Sequence, residues 1–238
     1  MAVDNSTIIQ APAYHLLRNA IAPAIAQVFV SNFRDTDFVQ KRLSEVKPSG
    51  SQHHPLQPID FDSISLFEFL KKVHNRGKKE EDKKRKANKN VTVIPESHTG
   101  PRTLHINNLN DNEDLLSKLR VKEFFNPKNF AYLAEELGKL DVTLLLTLVT
   151  NAILLFSIPP EVLKAVDEIK DVRNGLNHSG RKVKYEECQK TFELLCCSLE
   201  IIYRYLGRSL SDLQEKEREA RMLWNIDPHI LFQDMQSE

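Results

Sequence analysis

From Tyr185 to Leu206 the apolar residues Tyr185, Cys188, Phe192, Leu195, Leu199, Ile202 and Leu206 step by 3, 4, 3, 4, 3 and 4. That spacing keeps one face of a helix apolar for its whole length, and a strand, whose faces repeat every two residues, does not produce it. A helix with so long a seam must bury it against other elements. The remaining patterned segments also have helical period, alternating β-branched runs are scarce, and the 238 residues include only 7 glycines. An all-α fold, an antiparallel helical bundle, is expected.

Ala13 to Phe33 reads as a first helix, with Leu16, Leu17, Ala20, Ala24, Val28 and Phe29 near one face. Residues 1–12 read as an N-terminal tail. Pro23 predicts a kink, because proline removes a backbone donor and crowds the preceding turn. Asp62 to His74 is expected to form a short helix capped by Asp62 or Ser63. Leu115 to Phe125 reads as helical, Asn126-Pro127 restarts the chain, and Asn129–Leu140 and Val142–Phe156 follow as helices. Pro160 can open the next helix, in which Val162, Val166, Ile169, Val172 and Leu176 recur. It should end near Ser179-Gly180, with Gly180 as a left-handed cap. Gly207 closes the long seam helix, and Ser209 or Ser211 caps a polar helix to Met222, within a C-terminal polar helix and tail over 207–238. The bundle itself is expected over 13–206.

The formal charge is zero, from 33 Lys+Arg and 33 Asp+Glu, but it is unevenly spread. Residues 1–110 hold 16 basic and 11 acidic residues (+5), and 111–238 hold 17 and 22 (−5). A coat of positive charge for bulk nucleic-acid binding is therefore excluded, while local patches are not. Residues 34–113 read as a long polar insertion, basic and flexible at 78–112, where KKEEDKKRKANK has seven basic and three acidic residues. Lys83, Lys84, Arg85 and Lys86 could act as a nuclear-import signal or an RNA tether, or simply be a solvated loop.

Three cysteines without a CxxC pair make a zinc site or disulfide framework unexpected, and Cys188 and Cys196 fit as small buried residues. His53-His54 has no carboxylate or cysteine nearby, so no metal or cofactor is expected there or elsewhere. Met1 to Gln10 lacks the pattern of a secretory signal, and Leu140–Pro159 carries too many polar residues for a membrane span. A cytoplasmic location is expected, with nuclear import left open, and no membrane partner. Trp224 is expected to anchor the C-terminal segment rather than to stack on a base.

Arg173-Asn174-Gly175-Leu176-Asn177-His178 is the segment that can carry chemistry. The Arg173 fork matches phosphate oxygens, and His178 can move a proton near neutrality. Together they suffice for metal-free RNA cleavage: His178 handles protons at the 2′-hydroxyl or the leaving 5′-oxygen, and Arg173 stabilises charge on the phosphorane. Asn174 lies one turn before His178 and could orient the imidazole. The plain alternative makes Arg173 a surface cation near a helix C-terminus and His178 a cap.

Arg173-Asn174-x-x-x-His178 resembles the R-x(4–6)-H motif of the HEPN superfamily. A further similarity is to the branch of that superfamily named after a DAZ-interacting E3 ubiquitin ligase. YHLLRNAIAPAIAQVF, LLSKLRVKEFFNPKNFAYL, LDVTLLLTLVTNAILLF and IKDVRNGLNHSG follow in that branch's order, covering roughly 13–33 and 114–206. The resemblance implies an antiparallel bundle, a homodimer whose two motifs share one cleft, and Arg173, Asn174 and His178 as the site. It leaves three activities open: a metal-independent endoribonuclease, RNA or nucleotide binding without cleavage, and a protein-interaction module in intracellular signalling or defence. Gly175 inside the motif departs from the pattern and weakens the helix locally.

Overall fold

The computed structural model describes residues 5–33, 39, 60–72, 110–152, 158–178 and 185–225. Among these residues every extended element is helical, and the one strand-like pairing is an isolated antiparallel bridge between Ser65 and Arg120. The fold is all-α. No helix among the described residues is long and apolar enough to cross a membrane. The basic run at Lys83, Lys84, Arg85 and Lys86, His53-His54 and the Ser179-Gly180 cap lie outside the described residues, as does most of the expected insertion.

In chain order the helices are α1 (Asn5–Leu16), a π-helical turn (Leu17–Ile21), α2 (Ala22–Ser31) and α3 (66–72). Next come α4 (Glu113–Lys118), 3-10 turns at Val121–Phe125 and Pro127–Asn129, α5 (Phe130–Gly138) and α6 (Val142–Ala152). The chain continues with α7 (Pro160–His178), α8 (Tyr185–Leu206), α9 (Leu210–Met222) and a 3-10 turn at Leu223–Asn225. The first helix begins at Asn5 rather than Ala13, so the helical run takes in most of the expected tail.

The residues fall into two compact units. The first comprises Met1–Val28, Glu135–Leu146 and Ile158–Glu238. Here α8 packs against α7, α1 and α9, and α1 also meets α9. The middle of the α8 seam is fully sealed: Cys188, Phe192, Leu195, Leu199 and Ile202 are buried, while Tyr185 at its start is half-exposed. Ser198 Oγ donates to Glu168 Oε2 at 2.9 Å, joining α8 to α7 where the interface turns polar. Gly207 stops α8 in the left-handed region at φ +65, which only glycine adopts without a Cβ penalty. Ser209 then caps α9, its Oγ accepting from Ser211 N at 3.1 Å. The polar C-terminal helix is held through Leu213 and Ala220, and Trp224 lies edge-on to Tyr185 and Phe192 at 5.6 and 5.2 Å.

Burial separates the thiols. Cys188 and Cys196 are buried, which pushes both thiols up from their ordinary range, while Cys197 faces solvent. Because the thiolate is the reactive form, a maleimide should label Cys197 rapidly and the other two only on unfolding. Mass spectrometry of native and denatured protein would read this; fast labelling of all three in native buffer contradicts the packing of α8.

The second unit comprises Phe29–Ala134 and Thr147–Ser157. Its centre is aromatic: Phe33 lies 5.3 Å from Phe29, 6.1 Å from Phe69, 4.7 Å from Phe124 and 5.7 Å from Phe125. Phe61 closes the cluster against Phe69 and Phe125 at 6.2 and 5.2 Å. Thus the described part of the insertion contributes core. The cap of α3 is Ser65, not Asp62 or Ser63. Ser65 and Glu68 form a reciprocal capping box, Glu68 N donating to Ser65 Oγ at 3.3 Å and Ser65 N to Glu68 Oε2 at 3.4 Å. Asp60 instead closes a local turn, accepting from Asp62 N and Ser63 Oγ.

The expected helix over 115–125 is broken at Leu119-Arg120. Leu66 N donates to Leu119 O at 2.8 Å and Val121 N to Ile64 O at 3.1 Å, which draws both residues into extended backbone. After Asn126, whose side chain accepts from Lys128 N, Pro127 opens the next turn as its fixed φ favours.

Candidate phosphate-binding cleft

Pro23 shapes the first wall of the site. It cannot donate to the carbonyl of Asn19, so the α-helical ladder must miss a bond there. The chain widens instead into the π turn, closed by Ala22 N–H donating to Leu17 O. The expected kink is this extra-wide turn. Leu17, Ala20 and Ile21 are buried and fix it, which leaves Arg18 and Asn19 on the solvent side. Wide turns of this kind are frequent at functional sites. Asn19 Nδ2 donates to His15 Nδ1 at 3.0 Å, so the amide is held from one turn earlier.

The second wall is the link from α5 to α6. Leu137 and Leu140 are buried and pin it, and Leu140 N donates to Leu137 O at 3.0 Å. Asp141 caps α6: its Oδ1 accepts from Thr143 N at 2.8 Å and its carbonyl from Leu145 N at 3.1 Å. The exposed Lys139 is paired to Glu136.

Arg173 of α7 completes the site. Its side chain is only 24% exposed, and Nη2 lies 3.7 Å from Asp141 Oδ2, whose own side chain is 58% exposed. Arg173 is therefore half-buried. Together with Tyr14, Arg18, Asn19, Lys139 and Asp141 it lines an open cleft of about 760 Å³ within the first unit. Burial pushes the Tyr14 phenol up from its ordinary value, and the nearby Arg173 guanidinium pulls it part of the way back. Three cations and one carboxylate line this concave wall, with Lys139 paired to Glu136 and Arg173 beside Asp141.

Of the residues singled out in the sequence, Arg173 lies in the cleft and Asn174 beside it is half-buried. Position 178 is the last residue of α7, and its side chain lies outside the described part of the structure. The helix runs unbroken through Gly175, so positions 174 and 178 share a face, whereas 173 and 178 are about 140° apart around the axis. Tyr14, Arg18, Asn19, Lys139 and Asp141 were not singled out. Two of their signals were local. Pro23 marks the wide turn, and Asp141-x-Thr143 before an apolar run is a cap signature.

Among the described residues no group of three or more His, Cys, Asp or Glu side chains could hold a metal ion. The fold and cleft define an all-α protein with an open polar cleft lined by Arg18, Lys139, Asp141 and Arg173. Comparison with protein-family models, curated proteins and solved structures gives no match.

Proposed function

We propose that the chain is a HEPN-like RNA-binding protein in which Arg173 holds a strand phosphate and the Arg173–His178 segment cleaves RNA without a metal. The observation that carries the reading is the half-buried Arg173 in a cleft shared with Arg18 and Lys139. A partly desolvated guanidinium binds phosphate more strongly than an exposed one, and its planar fork orients the phosphate. In the cleavage step the 2′-hydroxyl attacks phosphorus and gives its proton to His178. The P–O5′ bond breaks as the new P–O2′ bond forms, and the 5′-oxygen takes a proton back from a protonated His178, giving a 2′,3′-cyclic phosphate and a 5′-hydroxyl end. Because positions 173 and 178 do not share a face, one chain brings them together poorly. The two-fold homodimer that the resemblance implies supplies His178 from a second copy. A second reading, a non-catalytic module with protein partners, is favoured by Asp141, which already stands beside the Arg173 guanidinium.

The test is single-stranded RNA incubated in EDTA with wild type, Arg173→Ala and His178→Ala. Wild type should give cyclic-phosphate ends, and each variant should be slower by about 100-fold or more. Equal rates, or activity lost in EDTA, remove the cleavage step. Binding that survives without cleavage and needs Arg173 leaves the non-catalytic RNA-binding reading, and no RNA binding at all leaves the interaction module.

A further inference from the structure

Asp141 is the one acidic group in a cleft otherwise lined by cations and neutral polar side chains. If the cleft bound only phosphate, this carboxylate would repel the ligand. Capping α6 does not require it to be acidic either, since serine or asparagine caps as well. Its two oxygens have different surroundings. Oδ1 accepts from Thr143 N at 2.8 Å, which fixes the orientation of the group. Oδ2 points to the Arg173 side of the cleft, 3.7 Å from Nη2, longer than a hydrogen bond, on a side chain that is 58% exposed. A carboxylate only accepts, so the ligand group that suits Oδ2 is a hydroxyl or amine donor placed next to the anion on Arg173.

Resting on the RNA-binding reading above, we propose that Asp141 reads the ribose 2′-hydroxyl of the nucleotide whose 3′-phosphate lies on Arg173, a contact of the bound strand that gives way before that proton passes to His178. The 2′-hydroxyl sits on the carbon adjacent to the one that bears the 3′-phosphate. A donor to that phosphate and an acceptor for that hydroxyl must therefore be neighbours, as Arg173 Nη2 and Asp141 Oδ2 are. Deoxyribose has no such donor and leaves the carboxylate facing the phosphate without compensation. The 2′-hydroxyl is the group by which a protein distinguishes RNA from DNA. Asp141 is thus a specificity-determining residue: it penalises an anion that brings no neighbouring donor, and of the two nucleic acids only RNA recovers the loss.

The experiment measures, by fluorescence anisotropy in EDTA, the affinities of one labelled oligonucleotide sequence as RNA, DNA and 2′-O-methyl RNA. The reference protein, called wild type below, and Asp141→Ser both carry His178→Ala, so that the metal-independent cleavage expected above does not consume the RNA, and strand integrity is checked on a gel. The wild type should prefer RNA to both others by about 10-fold or more, the worth of one hydrogen bond to a charged group. Asp141→Ser keeps a capping hydroxyl but lacks the reach. In that variant the RNA-to-DNA ratio should fall towards one while both strands still bind, as tightly as before or more so. A purely structural carboxylate would shift RNA and DNA alike. An unchanged ratio in Asp141→Ser, or a wild type that binds RNA and 2′-O-methyl RNA equally, overturns the role of Asp141 and leaves RNA binding standing. If the wild type binds none of the three strands, the RNA reading fails and this inference fails with it. The 2′-O-methyl comparison needs no substitution at Asp141, so the proposal is testable even if Asp141→Ser folds poorly.

Discussion

Phe192→Ala should destabilise the first unit by about 3–5 kcal/mol, the usual cost of deleting a buried phenyl ring. Phe192 is fully buried at the middle of the α8 seam. Its ring also meets Trp224 at 5.2 Å, and the Arg221 guanidinium lies 4.7 Å from its centroid. Alanine would therefore leave a cavity and release the segment that follows α9. Trp224 is the sole tryptophan of the chain and belongs to this unit, so its fluorescence reports the relevant packing directly. In urea the fluorescence midpoint should drop steeply with little change in slope, and the native emission should move to the red. Phe192→Leu, which refills most of the volume, should cost less than half as much. A Phe192→Ala midpoint within error of wild type would contradict the packing of α8 against the C-terminal segment.

That helix was also the most legible part of the sequence, because its signal is local and repeated. The seam sets both the length of α8 and its buried face, and Gly207 and Ser209 mark its end and the next start by backbone chemistry alone. Pro160 opens α7 for the same reason. Where a feature depends on residues far apart in sequence, the reading stops short. Nothing within Leu115–Phe125 signals the break at Leu119-Arg120, because it is made by backbone bonds to Ile64 and Leu66. The phenylalanines from Phe29 to Phe125 follow no period that would announce one cluster. The Ser65–Glu68 box, by contrast, is local, an S-x-x-E pattern that begins two residues after Ser63.

The candidate site divides in the same way. Arg173 stands out in sequence because a guanidinium followed by asparagine and histidine is chemically suggestive, and it does occupy the cleft. Its neighbours come from α1, the π turn and the α5–α6 link, all more than thirty residues earlier in the chain. In sequence Asp141 is a polar residue at the start of the apolar stretch from Leu140 to Pro159. Its role as a cap, and its place beside Arg173, depend on how α6 begins and where α7 lies. The helical period alone already separates position 173 from 178, and the unbroken α7 makes that separation real.

Replacing Arg18, Lys139 and Arg173 together by alanine should weaken RNA binding by about 100-fold or more at low salt. It should also flatten the dependence of log K on log salt by roughly 2, since each contact to a single-stranded phosphate contributes about 0.7 to the slope. The three single variants should differ in order. Arg173→Ala should cost the most, about 10-fold, because its guanidinium is mostly shielded from water and its charge is least screened. Arg18 is exposed and Lys139 is already paired to Glu136, so each of those alone should cost only a few fold. The triple variant need not equal the sum of its parts, because all three side chains face one ligand. A set of scattered surface charges would instead lose affinity equally at each position. Equal losses in the three single variants, or a salt slope that the triple variant leaves unchanged, would move RNA contact away from this cleft to another basic part of the chain.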